Sequence, residues 1–262
     1  MLRALIGFLT ITLGMVAAAL VPSPPETGFL NRTLSIDGDK FRYQVYVPAE
    51  YDESRKWPVI LFLHGSGERG SDGLHQTVVG LGPVIRSHPE RFPAIVIFPQ
   101  APEGKRWSGQ GEAIALKALE QTLAQFEADP DRVYLVGLSM GGRGAIQIAQ
   151  QQPERFAAMV AVCGWVVPPK AIADIEPPPP ESEGDPYGAA ADRLKGIPIR
   201  LYHGSQDTVV PASESRRLAV ALHERSADAK YTEYSDVGHA AWDKAFADAD
   251  LWKWLFAQRR AP

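Results

Sequence analysis

The stretch from Arg132 to Gln150 constrains this chain more than any other part of it. It reads Arg-Val-Tyr-Leu-Val-Gly-Leu-Ser-Met-Gly-Gly-Arg-Gly-Ala-Ile-Gln-Ile-Ala-Gln. That is an apolar β-branched run, a sharp turn carrying a serine, and a glycine-opened run with Ala145, Ile146, Ile148 and Ala149 suited to a helix packed on a sheet. Within it, Gly137-Leu138-Ser139-Met140-Gly141 matches G-x-S-x-G, whose small flanking residues let the backbone fold tightly enough to hold a serine hydroxyl out at a strand end. The same five residues in an ordinary loop would be only a turn. The strand before and the helix after favour Ser139 as a nucleophile.

A hydroxyl is a poor nucleophile at neutral pH, so Ser139 requires a histidine base, an acid to orient it, and donors for the developing oxyanion. Asp207 stands in His203-Gly-Ser-Gln-Asp207 behind the apolar run 197–202, and His239 in Val237-Gly-His239 behind Tyr231-Thr-Glu-Tyr234. The order Ser, Asp, His, with acid and base on successive loops that each follow a strand, is that of α/β-hydrolase triads. Each residue has a plainer reading: Asp207 as a turn cap, His239 as a surface histidine opening the last helix. His203 is the rival base, with a packing role favoured for it, and Asp236 is the rival acid, disfavoured because three residues are too few to bring its carboxylate behind the imidazole. None of the six histidines has metal-ligand spacing.

The oxyanion donors are expected from another turn. The buried strand Trp57 to Leu63 runs into His64-Gly-Ser-Gly-Glu-Arg-Gly70, a loop rich in exposed backbone N–H groups. The N–H of Ser66, with that of Met140, is assigned to the oxyanion, and His64 to fixing the loop. The same loop spells G-x-G-x-x-G from Gly65 to Gly70, a dinucleotide fingerprint, so a nucleotide-binding oxidoreductase is a formal alternative. The next strand, Ala94 to Phe98, ends in Pro99-Gln100 and not in the acid that would bind a ribose. No P-loop or cysteine-based zinc motif is present, and no cofactor is expected.

With 262 residues, 45% hydrophobic and 22% charged, the chain suits one sizeable α/β core. A net charge of −4 and the lack of a basic stripe argue against nucleic acid as a partner. Met1-Leu-Arg followed by an apolar run from Ala4 to Val21, with Ala17-Ala-Ala19 near its end, reads as a secretory signal over 1–19; an uncleaved anchor over residues 4–21 is the alternative and the one route to a membrane. A proline-rich spacer over 20–31 and a catalytic domain over 32–262 follow. The lone Cys163 excludes an intramolecular disulfide and reads as a buried apolar residue.

Alternating residues around Asp37-Gly38-Asp39, over Arg32 to Ile36 and Phe41 to Val47, predict a hairpin. Strands near Val59 to Leu63, Ala94 to Phe98, Val133 to Val136, Ala158 to Cys163, Ile199 to Tyr202 and Lys230 to Tyr234 are spaced for crossovers, which predicts a mainly parallel sheet flanked by helices. Helices are predicted over Glu112 to Ala128, Ser213 to Arg225 and Trp242 to Gln258. The proline-rich segment over 166–187 resists regular structure and reads equally as a linker or as a flap beside the site.

The motifs Leu61 to Gly70, Phe98-Pro-Gln-Ala101 followed by Trp107, Asp131 to Gly142, Phe156-Ala-Ala158, His203 to Asp207 and Val237 to His239 together resemble the α/β-hydrolase superfamily. Within it the chain is similar to the secreted predicted-peptidase, feruloyl-esterase and polyhydroxybutyrate-depolymerase-like group, from about Arg42 onward. The resemblance implies an α/β-hydrolase fold and a Ser139, Asp207, His239 triad. It implies a substrate less specifically, since such proteins cleave esters, polyesters or peptides. Trp107, Trp165 and Trp242 follow strand ends or the histidine and are candidates to line the substrate pocket, each with core packing as its alternative. The expected activity is hydrolysis of small or oligomeric carboxylic esters through an acyl-enzyme on Ser139. The alternatives are a peptidase with the same triad, the oxidoreductase above, or a catalytically silent binding protein. No glycosidase carboxylate pair can be named.

Overall fold

The computed structural model describes residues 25–169 and 184–260. Eight strands, β1 (Gly28–Ile36), β2 (Asp39–Val47), β3 (Trp57–Leu63), β4 (Ile95–Pro99), β5 (Ala128–Leu138), β6 (Ala158–Val162), β7 (Ile199–Gly204) and β8 (Ala229–Tyr234), form one sheet. Their order across it is β1-β2-β4-β3-β5-β6-β7-β8. The first two form the hairpin expected around Asp37-Gly38 and β2 runs antiparallel to β4, whereas β4 through β8 are parallel. Among the described residues seven α-helices cover the faces: α1 (Leu81–Ser87), α2 (Gln110–Gln125), α3 (Met140–Gln151), α4 (Pro186–Leu194), α5 (Ser213–Glu224), α6 (Ala241–Ala247) and α7 (Ala249–Ala257).

The alternation of side chains along each strand divides the core in two. On β3, Val59, Leu61 and Leu63 face the cluster that contains Ile114 of α2, Ile146 of α3 and Leu218 of α5, while Ile60 and Phe62 face the cluster that contains Ile85 of α1, Phe246 of α6 and Trp252 of α7. Both faces of the central strands are therefore buried, which accounts for their near-continuous apolar sequence.

The elements differ from the sequence expectations in three places. Helix α2 stops at Gln125, and Ala128 already belongs to β5, which is several residues longer than Val133 to Val136. The predicted closing helix over Trp242 to Gln258 is two helices, because Asp248 is extended (φ −71°, ψ 110°) and its carboxylate caps α7 by accepting from Asp250 N–H. Helix α4 begins at the end of the proline-rich segment, with Pro186 in its first turn and Asp185 accepting from Gly188 N–H. Most of that segment, like the leader and the greater part of the spacer, lies outside the described residues.

The order of the strands prepares a site. From β3 the chain passes to β4 on one side and then to β5 on the other, so the loops after β3 and β5 open a crevice between them at the carboxyl edge. The first carries Ser66 and the second Ser139.

Candidate active site

Ser139 joins β5 to α3 at φ 51° and ψ −117°. Gly80 (φ 71°, ψ −117°) before α1 and Gly109 (φ 54°, ψ −116°) before α2 adopt nearly the same conformation. Two of these three helix entries use glycine, which accepts a positive φ without strain; at the third a β-carbon is held there at a cost of roughly 1–3 kcal/mol. Close packing enforces it. A β-carbon on Gly141 would lie 1.9 Å from the Leu63 carbonyl oxygen, so α3 meets the end of β3 through bare backbone. Ser139 N–H donates to the Val162 carbonyl at 2.8 Å, tying the turn to β6.

His239, in the loop after β8, places Nε2 2.9 Å from Ser139 Oγ and Nδ1 2.7 Å from Asp207 Oδ2. Asp207, in the loop after β7, is buried, and its Oδ1 accepts from Val209 and Val210 N–H, both at 2.9 Å. Burial opposes its charge, but the polar hydrogens of His203 and His239 and the Val210 N–H outweigh burial and hold the carboxyl well below the usual carboxylate range. An ionised carboxylate only accepts, so Nδ1 of His239 carries the proton and Nε2 is left to accept from the serine. The rival acid, Asp236, is exposed and instead accepts from Gln206 Nε2 at 3.1 Å.

The loop after β3 packs directly on this turn. A β-carbon at Gly65 would lie 2.9 Å from Leu138 Cδ1 and 3.7 Å from Ser139 Cβ. His64 fixes the loop as expected: Ala101 N–H donates to Nε2 at 3.0 Å, so Nδ1 holds the proton and donates to the Gly65 carbonyl at 2.6 Å. Burial pushes its pKa down to about 4 and keeps it neutral. Ser66 opens a 3-10 turn over Ser66–Glu68 and Met140 opens α3, so each offers a first-turn N–H that its own helix leaves without a partner. The oxidoreductase alternative fails here, because the glycine-rich loop enters a single 3-10 turn and not a helix that could seat a pyrophosphate.

Ser66, Ser139 and Met140 share a cavity of about 150 Å³ with Arg69, Arg106, Trp165, Val209 and Val210. Of the three tryptophans, only Trp165 lines it; it is buried, and its indole N–H has no acceptor among the described residues. Trp242 stands edge-on to the His239 ring with centroids 5.2 Å apart. Trp107 is a correction to the sequence expectation: it is buried in the core against α3 and donates from Nε1 to the His64 carbonyl at 2.9 Å, so it buttresses the loop from behind. A larger cleft of about 520 Å³ lies at the amino-terminal ends of β6 and β7, remote from Ser139.

Three side chains near the site make contacts that nothing in the sequence signals, although Cys163 is buried as its sequence setting suggested. Cys163, at φ 51°, donates its thiol to the His239 carbonyl at 3.2 Å, and burial pushes that thiol up to about 12. Glu68 buries its carboxyl against the loop backbone, and burial raises its pKa. Glu214 of α5 accepts from Val166 N–H, Val167 N–H and the Tyr187 hydroxyl, pinning both ends of the proline-rich segment. Cys163, His203 and Asp207 are the one group among the described residues close enough to share a metal ion, but their polar atoms are already taken up by hydrogen bonds.

Comparison with known proteins gives the family and the fold. The family model Esterase, described as "Putative esterase", matches residues 35–253. A thermostable esterase of known structure superposes with a TM-score of 0.74 and 29% identity, covering 88% of this chain and 63% of that one. Feruloyl esterase B of Neurospora crassa is 27% identical over 135 residues, 47% of this chain and 44% of that protein. An uncharacterized secreted protein of Arthroderma benhamiae is 24% identical over 223 residues, 77% of this chain and 23% of its own. The chain spans less than half the length of these curated relatives. An eight-stranded, mostly parallel sheet, a serine at a strained strand-to-helix turn and the family match lead to one conclusion: the chain is an α/β-hydrolase and belongs to the esterase family.

Proposed function

We propose that this hydrolase is a serine carboxylesterase in which Ser139, His239 and Asp207 act as the triad. The observation that carries the reading is the unbroken line of hydrogen bonds from Asp207 through His239 to Ser139. Ser139 Oγ bonds to the ester carbonyl carbon as its proton passes to His239 Nε2. The Ser66 and Met140 N–H groups receive the oxyanion, and Asp207 faces the imidazolium so formed. Collapse expels the alcohol, which takes that proton, and water then releases the acid by the same steps in reverse.

The cavity beside Ser139 supports a short or single-ring acyl group, since about 150 Å³ is the space that holds one benzene-sized ring. Arg69 and Arg106 among its lining residues favour a substrate with acceptor oxygens. Purified protein should turn over p-nitrophenyl acetate, butyrate and benzoate well ahead of decanoate and of peptide amides. Amide cleavage at rates matching the esters would move the reading to a peptidase, and no turnover of either would leave a silent binding protein.

Export is part of this proposal. It is supported by the apolar leader ending in Ala17 to Ala19 and by the relative described as secreted. No helix among the described residues is long and apolar enough to cross a membrane. Amino-terminal sequencing of native protein should find a start near Leu20, whereas an intact Met1 on membrane-bound enzyme would make the leader an anchor.

A further inference from the structure

His203, on β7, takes no part in the chemistry above, yet it is the second imidazole beside the triad's acid. It is fully buried. Its Nε2 lies 2.9 Å from the Val210 carbonyl oxygen and 3.2 Å from Asp207 Oδ2, and its Nδ1 lies 2.8 Å from the Ser215 hydroxyl of α5. The Val210 carbonyl and the ionised Asp207 can only accept, so Nε2 must carry a proton. The Ser215 hydroxyl, which can donate or accept, is the partner of Nδ1.

We propose that His203 is a positioning residue for the triad. Held at Nδ1 by Ser215, it clamps the Asp207–Val210 turn through the Val210 carbonyl and brings Nε2 to 3.2 Å from the carboxylate that faces His239. Asp207 is thereby held from two directions: Oδ1 by the Val209 and Val210 N–H groups, and Oδ2 between the two imidazoles. An N–H this close to Oδ2 steadies the carboxylate that the imidazolium on His239 will face.

The other groups around His203 leave it this role. Cys163 at the end of β6 keeps its thiol protonated, with Sγ on the His239 carbonyl. Glu233, paired with His203 in the β7–β8 register, is held by two bonds from Arg216, at 2.7 Å and 2.6 Å, and one from Tyr231. Asp207 and His239 complete the set. The contact of Nε2 with Asp207 is thus the one through which His203 can bear on the reaction.

The inference rests on the serine-hydrolase reading and is tested with three variants of the whole chain. His203→Met removes both nitrogens, His203→Gln restores an N–H at the depth of Nε2, and Ser215→Ala leaves His203 in place but removes the partner of its Nδ1. His203→Met should lower kcat about tenfold or more at nearly unchanged KM, the loss expected for one charge-assisted hydrogen bond. The acid limb of its kcat/KM profile should move to higher pH by roughly half a unit, because the undiluted charge of Asp207 then favours protonated His239. His203→Gln should recover most of both effects, with Ser215→Ala intermediate. The low-field proton resonance of His239 Nδ1–H should shift in the same order, a readout that needs no turnover. An unmoved acid limb and resonance in all three variants, with rates that only follow the folded fraction, would overturn the proposal. If His203→Met does not fold, an unmoved limb and resonance in Ser215→Ala would suffice. Absence of ester turnover by the wild type would instead fail the hydrolase reading, and the resonance would still decide the role of His203.

Discussion

At the residue scale each polar side chain near Ser139 is told from its rivals by what its atoms are bonded to. Asp207 and Asp236 were rivals in the sequence, and geometry separates them by partner, Oδ2 of the first on His239 and Oδ1 of the second on Gln206. Asp207→Asn should therefore lower kcat by roughly 10³- to 10⁴-fold, since the amide favours the wrong imidazole tautomer, while Asp236→Asn should leave kcat nearly unchanged; the opposite ranking in steady-state kinetics would reverse the assignment. Trp165 fills one wall of the cavity without spending its indole N–H. Trp165→Phe should thus cost little stability, whereas Trp165→Ala should enlarge the cavity and shift preference from acetate and butyrate toward longer acyl chains in a chain-length series. A preference that did not move would take Trp165 out of the substrate pocket.

At the element scale the site is a by-product of sheet order: β3 and β5 lie side by side, and their loops meet at one edge. Glu214 adds a tie that crosses elements, from α5 to Val166 and Val167 after β6 and to Tyr187 of α4. Glu214→Ala should speed amide hydrogen exchange at Val166 and Val167 and raise KM by loosening the wall that carries Trp165. Unchanged exchange would show that the wall holds itself. The tight turn at Ser139, the places of Asp207 and His239 just past strand ends and the parallel strands were legible in the sequence because each depends on local pattern: alternation, a tight turn, a residue just past a strand end. Glu214, Cys163 and the buttressing role of Trp107 were not, because their partners lie 27 to 76 positions away and nothing local marks which long-range neighbour they meet. The break between α6 and α7 was hidden for a related reason: the apolar spacing continues through Asp248, and only its capping bond to Asp250 shows that the helix restarts.

At the scale of the whole molecule, stability and activity are joined through His64. It is neutral and buried in the fold, with its pKa lowered from 6.5 to about 4, so between those values the unfolded chain binds a proton that the folded one does not. Its contribution is complete above about pH 6.5 and is lost as pH falls toward about 4, on the order of 3 kcal/mol. Urea unfolding should show stability falling across that window, with a shallower fall in His64→Gln; identical slopes would remove His64 from the linkage. Because His64 holds the loop that carries Ser66, activity and stability should decline together at the acid end. Treating the folded protein with a fluorophosphonate and mapping the modified peptide by mass spectrometry asks whether Ser139 is the nucleophile. One adduct is expected, on Ser139, absent from Ser139→Ala together with all ester turnover; an adduct elsewhere, or turnover that survives in Ser139→Ala, would contradict the assignment.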